Sequence, residues 1–124
     1  MNRGLTVGEA AAKVGLSTHT LRWYEQEGLV EPVNRDGAGR RRYESGDLNW
    51  LILLTRLRTT GMSVRDMRRY AELARLGPQT VSERRRLFEE HKERVLERIA
   101  DLQRDLEAIN VKIEIYRQME QDQR

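Results

Sequence analysis

The sequence predicts a mainly α-helical protein: a winged helix-turn-helix domain with a small β-hairpin wing, then a long C-terminal helix that forms a dimeric coiled coil. Three observations favour this fold class. Two short helix patterns are joined by a glycine turn, a turn signal lies between two short extended segments, and apolar residues repeat in heptads near the C-terminus. Two prolines and 6% aromatic residues argue against a β-sandwich.

The composition indicates a small hydrophobic core. Of the 124 residues, 38% are hydrophobic and 35% are charged. Part of the chain is therefore expected to be an exposed helix or to bury its apolar face against another copy. The formal net charge of +3 permits nucleic acid as a partner without demanding it. The absence of cysteine excludes disulfides, thiolate metal sites and thiol redox sensing.

The sequence also bounds location and domain organisation. No apolar run approaches the roughly 18 residues that a membrane span needs. The N-terminal residues MNRGLTVGEA lack the apolar core of a signal peptide. We expect a cytoplasmic protein with no membrane partner, a winged helix-turn-helix domain over residues 1–77 and a dimerisation helix over residues 78–124.

The first two helices are predicted from their caps. Thr6-Val7-Gly8-Glu9 has the pattern of a capping box, and an apolar face follows it before Gly15 ends the helix. Ser17 is the expected N-cap of a second helix that ends near Gly28. Two short helices joined by a tight turn that contains glycine predict a helix-turn-helix.

A wing is predicted next. The segment VNRDGAGRRRY contains the turn signal Asp36-Gly37-Ala38-Gly39 between two short extended pieces, which is typical of a β-hairpin. A third helix is expected to begin at Ser45 or Asp47, to bury a leucine stripe and to end at Gly61. A fourth is expected from Ser63 to Gly77-Pro78, with these side chains inward: Val64, Met67, Tyr70, Leu73 and Leu76.

The last helix carries a heptad seam. Thr80-Val81-Ser82-Glu83 predicts a capping box at its start. The seam residues alternate in steps of four and three: Val95, Ile99, Leu102, Leu106, Ile109, Ile113 and Tyr116. Because just over half of the residues between them are charged, we predict a homodimer. Packing of the seam on the first four helices, or on a different protein, stays as an alternative.

The second helix has the side chains of a recognition helix. Thr18, His19 and Thr20 lie at its N-terminal end and are short enough to approach base edges, and Arg22 suits a phosphate. Tyr24 is expected to present its hydroxyl to the phosphate backbone, whereas Leu21 and Trp23 are expected to face inward. In the wing, a dense positive patch is expected to hold the phosphate strands: Arg40, Arg41 and Arg42 with Tyr43.

Several motifs resemble the MerR family of bacterial transcription regulators. TVGEAAAKVGLSTHTLRWYEQEGLVEP, GRRRYESGDLNWLILL and GMSVRDM carry this resemblance over residues 5 to about 75. It implies an antiparallel dimerisation coil and promoter binding, in which the dimer bends and untwists the spacer between promoter elements and so acts on RNA polymerase indirectly. By motif position it implies DNA contacts from Thr18, His19, Arg22 and Tyr24 and, in the wing, from Arg41 and Tyr43. Arg40 stands where the family commonly has an aromatic residue.

The second half resembles the branch of the family that responds to aldehydes and electrophiles. That branch commonly has a cysteine in the third helix, where this chain has Arg56. Thiol adduct sensing is therefore excluded, and no cofactor or metal is expected. A small-molecule effector stays unidentified. Trp50, Tyr70 and Arg56 motivate the hypothesis of a small pocket between the third helix, the fourth helix and the partner's coil.

Two other functions stay open from the sequence. One is an architectural or excisionase-like DNA-binding protein without an effector response, although its usual form lacks a long coil. The other is a coiled-coil adaptor that does not bind DNA. An enzyme is not expected, because the sequence shows no convergent acid/base pair, nucleophile elbow, phosphate loop or metal constellation.

Overall fold

The structure, a computed structural model, describes residues 4–30, 37–38 and 42–124. Within these ranges the chain is helical and ends in one long helix, as the sequence predicts. A 3-10 turn at Pro78–Thr80 precedes the last helix. The α-helices are α1 (Val7–Val14), α2 (Thr18–Gln26), α3 (Ser45–Thr59), α4 (Val64–Leu76) and α5 (Val81–Asp122).

The chain divides into two compact units, Met1–Leu87 and Phe88–Arg124. The division lies inside α5, beyond the glycine-proline break where the sequence predicts a domain boundary between residues 77 and 78. The boundary between residues 77 and 78, which separates the predicted DNA-binding domain from the predicted dimerisation helix, stays a prediction. α5 thus contributes its first turns to one unit and all of its later turns to the other.

Local hydrogen bonds fix α1 and α2 as predicted. The Thr6 hydroxyl accepts the Glu9 N–H at 3.1 Å and the Glu9 carboxylate accepts the Thr6 N–H at 3.0 Å, so the capping box is present. Gly15 follows α1 in the left-handed region. The Ser17 hydroxyl caps α2 by accepting the Thr20 N–H at 3.0 Å. The helix-turn-helix prediction is confirmed.

The predicted β-hairpin falls largely on residues 31–36 and 39–41, which lie outside the described residues, so the wing stays a prediction. Gly37 and Ala38 form a turn. After the predicted hairpin, Tyr43 pairs with Leu5 in an antiparallel bridge with two hydrogen bonds of 2.7 Å. This bridge joins the N-terminus of the chain to the segment that leads into α3.

α3 and α4 begin where the sequence predicts. In α3 the Asp47 carboxylate accepts the Glu44 N–H at 2.9 Å, and in α4 the Ser63 hydroxyl accepts the Asp66 N–H at 3.1 Å. Leu76, predicted to face inward, is 60% exposed, because it lies in the last turn of α4. Among the described residues of the first unit, the buried apolar side chains are Ala10, Ala11, Leu21, Tyr24, Leu29, Val30, Tyr43, Leu51, Leu54, Leu57, Met62, Met67, Ala71 and Leu73.

The capping box predicted at the start of α5 is wrong. The Thr80 hydroxyl donates to the Leu73 carbonyl at 2.5 Å and accepts from Arg84 Nε at 3.0 Å. The Glu83 carboxylate accepts from the Arg69 guanidinium at 3.2 Å. Because the 3-10 turn runs directly into α5, the Thr80 side chain is drawn to the end of α4 instead of to the N–H groups of α5.

Candidate nucleic-acid interface

The N-terminal end of α2 presents the predicted contact residues together. Thr18, His19 and Arg22 are exposed and Thr20 is half-buried. The Thr20 hydroxyl accepts from the Ser17 hydroxyl at 2.9 Å, which leaves Thr18, His19 and Arg22 as the outward-facing groups. Two short polar side chains and one guanidinium on a single exposed helix end can bind base edges and phosphates.

Tyr24 is placed differently from the prediction. Its side chain is fully buried, and its hydroxyl is shielded from solvent without a hydrogen-bond partner among the described residues. Tyr24 follows Leu21 by three positions, so both lie on the inner face of α2. In this structure the Tyr24 hydroxyl cannot reach a phosphate, and we correct its expected role to packing.

Tyr43 is also buried instead of facing a phosphate. Its hydroxyl donates to the Glu25 carboxylate at 2.5 Å, while its backbone pairs with Leu5. Tyr43 therefore ties the segment after the predicted wing to α2. This corrects its expected role from DNA contact to positioning. The pairing partner lies far away in sequence, so no local signal indicated it.

Of the predicted positive patch, Arg40 and Arg41 lie outside the described residues, and Arg42 is half-buried. The charge of Arg42 acts on Glu9. The pKa of Glu9 is lowered, first by the N–H of Thr6, then by the Thr6 hydroxyl, and to a smaller extent by Arg42. The positive charge of Arg42 therefore favours the ionised form of the Glu9 carboxyl group.

Trp23 packs at the edge of the core, in agreement with its expected inward face. It is half-buried, and its ring centroid lies 5.7 Å from that of Tyr24. The Arg58 guanidinium of α3 lies 5.5 Å from the Trp23 ring centroid, which is a cation–π distance. No sequence pattern selects Arg58, because the contact joins two helices that are separated along the chain.

Comparisons with known proteins agree with this geometry. Residues 5–74 match the MerR HTH family regulatory protein profile, and residues 48–121 match the profile described as MerR, DNA binding. The chain belongs to the MerR family. Over 111 residues it is 44% identical to an uncharacterized HTH-type transcriptional regulator of Haemophilus influenzae, and the match covers 90% of this chain and 82% of that protein.

Other MerR-family proteins share the fold. HiNmlR, described as a MerR family regulator lacking the sensor domain and solved bound to promoter DNA, is 43% identical with a TM-score of 0.84, covering 91% of this chain and 90% of that one. A MerR-family transcriptional regulator from Bacillus thuringiensis is 27% identical with a TM-score of 0.80, covering 88% and 96%. The regulator AdhR of Bacillus subtilis is 31% identical over 75% of this chain and 66% of its own. The protein is a DNA-binding MerR-family transcriptional regulator and not an enzyme.

Of the three residues that motivated the hypothesis of an effector pocket, two contact each other and one lies apart. Trp50 and Tyr70 stack with ring centroids 5.1 Å apart and planes 18° apart, whereas Arg56 is exposed elsewhere on α3. A cavity of about 210 Å³ lies in the first unit. Its lining residues are Leu29, Val30, Asp47, Trp50, Ala71, Ala74 and Arg75.

Across residues 4–30, 37–38 and 42–124, no helix combines the length and apolarity that crossing a bilayer requires.

Proposed function

We propose that the protein binds promoter DNA as a homodimer and regulates transcription by distorting the spacer between promoter elements. The observation that carries the proposal is the exposed heptad seam of α5. Along this seam Ile99, Leu102, Leu106, Ile109, Ile113 and Tyr116 are each 43–57% exposed, and every residue from 101 onward is exposed. A sustained apolar seam on an isolated helix surface favours a second helix as its cover.

The energetics of the seam support association. Full burial of one such side chain contributes about 1.5–3 kcal/mol, and these side chains are already about half covered. Together they supply on the order of 10 kcal/mol, which is comparable with the roughly 4–15 kcal/mol that association costs. We infer a reversible dimer whose population depends on protein concentration. The antiparallel sense is the one that the family resemblance implies.

Within the dimer, we propose that Thr18, His19, Thr20 and Arg22 of α2 contact DNA. A recognition helix approaches the major groove with its N-terminal residues. Thr18, His19 and Arg22 are exposed here, and Thr20 is half-buried. HiNmlR, which was solved on promoter DNA, supports the proposal because its likeness extends over nine-tenths of both chains. We propose that the wing arginines, Arg40 to Arg42, hold the flanking phosphates.

The regulatory step that we propose is DNA deformation. The family resemblance implies that a dimer bound to both half-sites bends and untwists the duplex between them, and we propose the same step for this protein. Deformation of a short site costs a few kcal/mol, which is enough to change how RNA polymerase meets the two promoter elements. Polymerase is thus an indirect partner. This function requires access to the chromosome, so we propose a cytoplasmic location.

Sedimentation of two matched variants tests the dimer. Leu106→Glu places a carboxylate near the centre of the seam, and Ala108→Glu places one nearby on the opposite side of α5, where Lys112 follows it by one turn. Leu106→Glu should convert the protein to monomers at micromolar concentration, and Ala108→Glu should leave it dimeric. Dimers of Leu106→Glu with unchanged affinity would overturn the seam assignment.

The salt dependence of DNA binding tests the contact residues. The loss of Arg22 from both protomers removes two phosphate contacts, so the slope of log affinity against log salt should fall by about 2 in Arg22→Ala. In vitro transcription then tests distortion, using one promoter with an over-long spacer and one with the optimal spacer. Activation of the over-long promoter alone supports the proposal; equal responses of both promoters would favour the architectural alternative.

An effector stays a proposal as well. We expect a small-molecule effector to bind in the cavity lined by Trp50 and Arg75. Thermal-shift screening with small electrophiles and organic cations tests this expectation. A compound that raises the melting temperature and also changes transcription would identify an effector. Stabilisers without an effect on transcription would argue for regulation by DNA binding alone.

A further inference from the structure

The turn that follows α2 leaves three consecutive carbonyl groups without helical partners. Gly28 lies in the left-handed region with φ 75°. The Leu29 N–H donates to the Tyr24 carbonyl at 2.9 Å and the Gly28 N–H to the Glu25 carbonyl at 3.1 Å. These two bonds are those of a Schellman motif, which fixes the turn. The carbonyls of residues 27 to 29 lie beyond the last helical bond and need donors from elsewhere.

Three side chains from α3 and α4 supply those donors. Arg68 Nε donates to the Glu27 carbonyl at 3.2 Å, the Arg75 guanidinium donates to the Gly28 carbonyl, and Trp50 Nε1 donates to the Leu29 carbonyl at 2.6 Å. We call Trp50, Arg68 and Arg75 the carbonyl clamp. One donor for each of three successive carbonyls is a specific arrangement, because the donors come from residues 21 to 47 positions away.

The clamp side chains are themselves held in place. Trp50 stacks on Tyr70 of α4, so its indole has little freedom to rotate. The Arg68 guanidinium pairs with the Glu27 carboxylate as well as with the Glu27 carbonyl. α3 and α4 also bury Leu51, Leu54 and Met67 in the core of the same unit. The clamp therefore connects the end of α2 to a rigid support.

We propose that the carbonyl clamp is a positioning device for DNA binding: it sets the angle at which α2 presents its N-terminal residues. The proposal rests on the proposed contact between α2 and DNA. A nine-residue helix is about 13 Å long. A tilt of roughly 10° at its clamped end would move Thr18 by about 2 Å, which exceeds the tolerance of a hydrogen bond to a base or phosphate.

A purely structural role would have a different signature. The Arg68 side chain is 52% exposed, so its ion pair stabilises the fold only weakly. A positioning role predicts that clamp variants lose DNA affinity out of proportion to any change in melting temperature. A structural role predicts that affinity per folded molecule stays constant.

The test compares a clamp variant with a charge-matched control. Trp50→Phe keeps an aromatic ring against Tyr70 but replaces the indole with a smaller phenyl ring that has no N–H donor, and Arg75→Met removes the guanidinium. Arg69→Met changes net charge by the same amount as Arg75→Met, but Arg69 pairs with Glu72 and Glu83 instead of the α2 turn. Binding is measured by fluorescence anisotropy on a duplex from the protein's own upstream region, and folding by circular dichroism.

We expect Trp50→Phe with Arg75→Met to weaken binding about tenfold at a temperature where the variant remains folded. Arg69→Met should change affinity less than about twofold, and Trp50→Phe alone should weaken binding about threefold. If Arg75→Lys takes the place of Arg75→Met, the lysine retains one donor for the Gly28 carbonyl, so most of the lost DNA affinity should return. If the double variant unfolds, the DNA affinity of the single variant Trp50→Phe tests the inference instead. Equal affinities for the clamp variants and Arg69→Met would overturn the inference.

Arg22→Ala separates this inference from the proposed function. If Arg22→Ala weakens binding and the clamp variants do not, the clamp has no positioning role although α2 still contacts DNA. If neither Arg22→Ala nor the clamp variants affect binding, the proposed contact of α2 with DNA is wrong. Weakened binding in both sets supports both.

Discussion

The two units of the chain use the same apolar residue types in opposite ways. In the unit Met1–Leu87, Leu51 and Leu54 of α3 are fully buried. In the unit Phe88–Arg124, Leu102 and Leu106 of α5 are 57% and 55% exposed. Both pairs recur at helical spacing, so spacing alone does not decide burial. Burial depends on whether neighbouring elements of the same unit cover the stripe.

Helix length explains why the first unit must pack. α1 to α4 have 8 to 15 residues, which is marginal for an isolated helix in water. α5 has 42 residues and exposed ion pairs within the helix, such as Asp101 with Arg104 and Glu114 with Arg117. The first unit is therefore stabilised by tertiary packing, whereas α5 can remain helical with its seam exposed.

Equivalent leucine-to-alanine substitutions should destabilise the two units in different ways. Leu54→Ala removes a fully buried side chain and should lower the free energy of unfolding by about 2–5 kcal/mol at every protein concentration. Leu102→Ala should shift the urea midpoint only as far as it weakens the dimer, so its effect should grow as the protein is diluted. Urea unfolding at two protein concentrations distinguishes them. A concentration-independent loss in Leu102→Ala would show that its seam packs within the chain.

Local signals made most of the first unit predictable from the sequence. The starts of α1, α2 and α4 follow from Thr6, Ser17 and Ser63, because a cap and its target N–H lie within three residues. The long helix and its seam follow from the heptad spacing. The DNA-contact residues of α2 are predicted from their position, and the structure places Thr18, His19 and Arg22 on its surface.

Predictions that depend on tertiary partners are wrong or missing. Thr80 has a cap sequence, but its hydroxyl donates to the Leu73 carbonyl seven residues before it. Tyr43 is predicted on DNA because it follows three arginines, yet its partners are Leu5 and Glu25. The carbonyl clamp could not be inferred because a tryptophan or arginine has no local pattern that identifies a distant carbonyl as its acceptor.

Two glycine substitutions test whether long-range contacts stabilise the first unit. Gly4 has φ 66°, and an added Cβ would lie 3.0 Å from the Tyr43 carbonyl oxygen. Gly4→Ala should therefore lower the free energy of unfolding by about 1–2 kcal/mol. Gly8 is helical with open space around it, so Gly8→Ala should raise the free energy by about 0.5–1 kcal/mol. Thermal unfolding measures both, and equal signs would contradict the placement of Gly4.

Removal of one hydroxyl tests the link between the wing segment and α2. Tyr43→Phe keeps the buried ring and deletes the donor to the Glu25 carboxylate. We expect the free energy of unfolding to fall by about 1 kcal/mol, with no change in the dimerisation constant, since the bond lies within the first unit. Tyr116→Phe is the matched variant in the second unit, where the hydroxyl belongs to a half-exposed seam residue. A loss as large in Tyr116→Phe would show that the hydroxyls of the two units are equivalent.

The smallest predicted effect is on the stability of the first unit at acid pH. The N–H and hydroxyl of Thr6 lower the pKa of Glu9 below its ordinary value of 4.5. Because the folded pKa lies below the unfolded one, the stabilisation is present above about pH 4.5 and is lost as the pH falls through the folded pKa. Glu9→Gln can still accept the Thr6 N–H but does not titrate, so the stability advantage of the unaltered protein over this variant should shrink as the pH is lowered. Carboxyl NMR of Glu9 with pH-dependent unfolding checks this, and a Glu9 titration midpoint at or above 4.5 would contradict it.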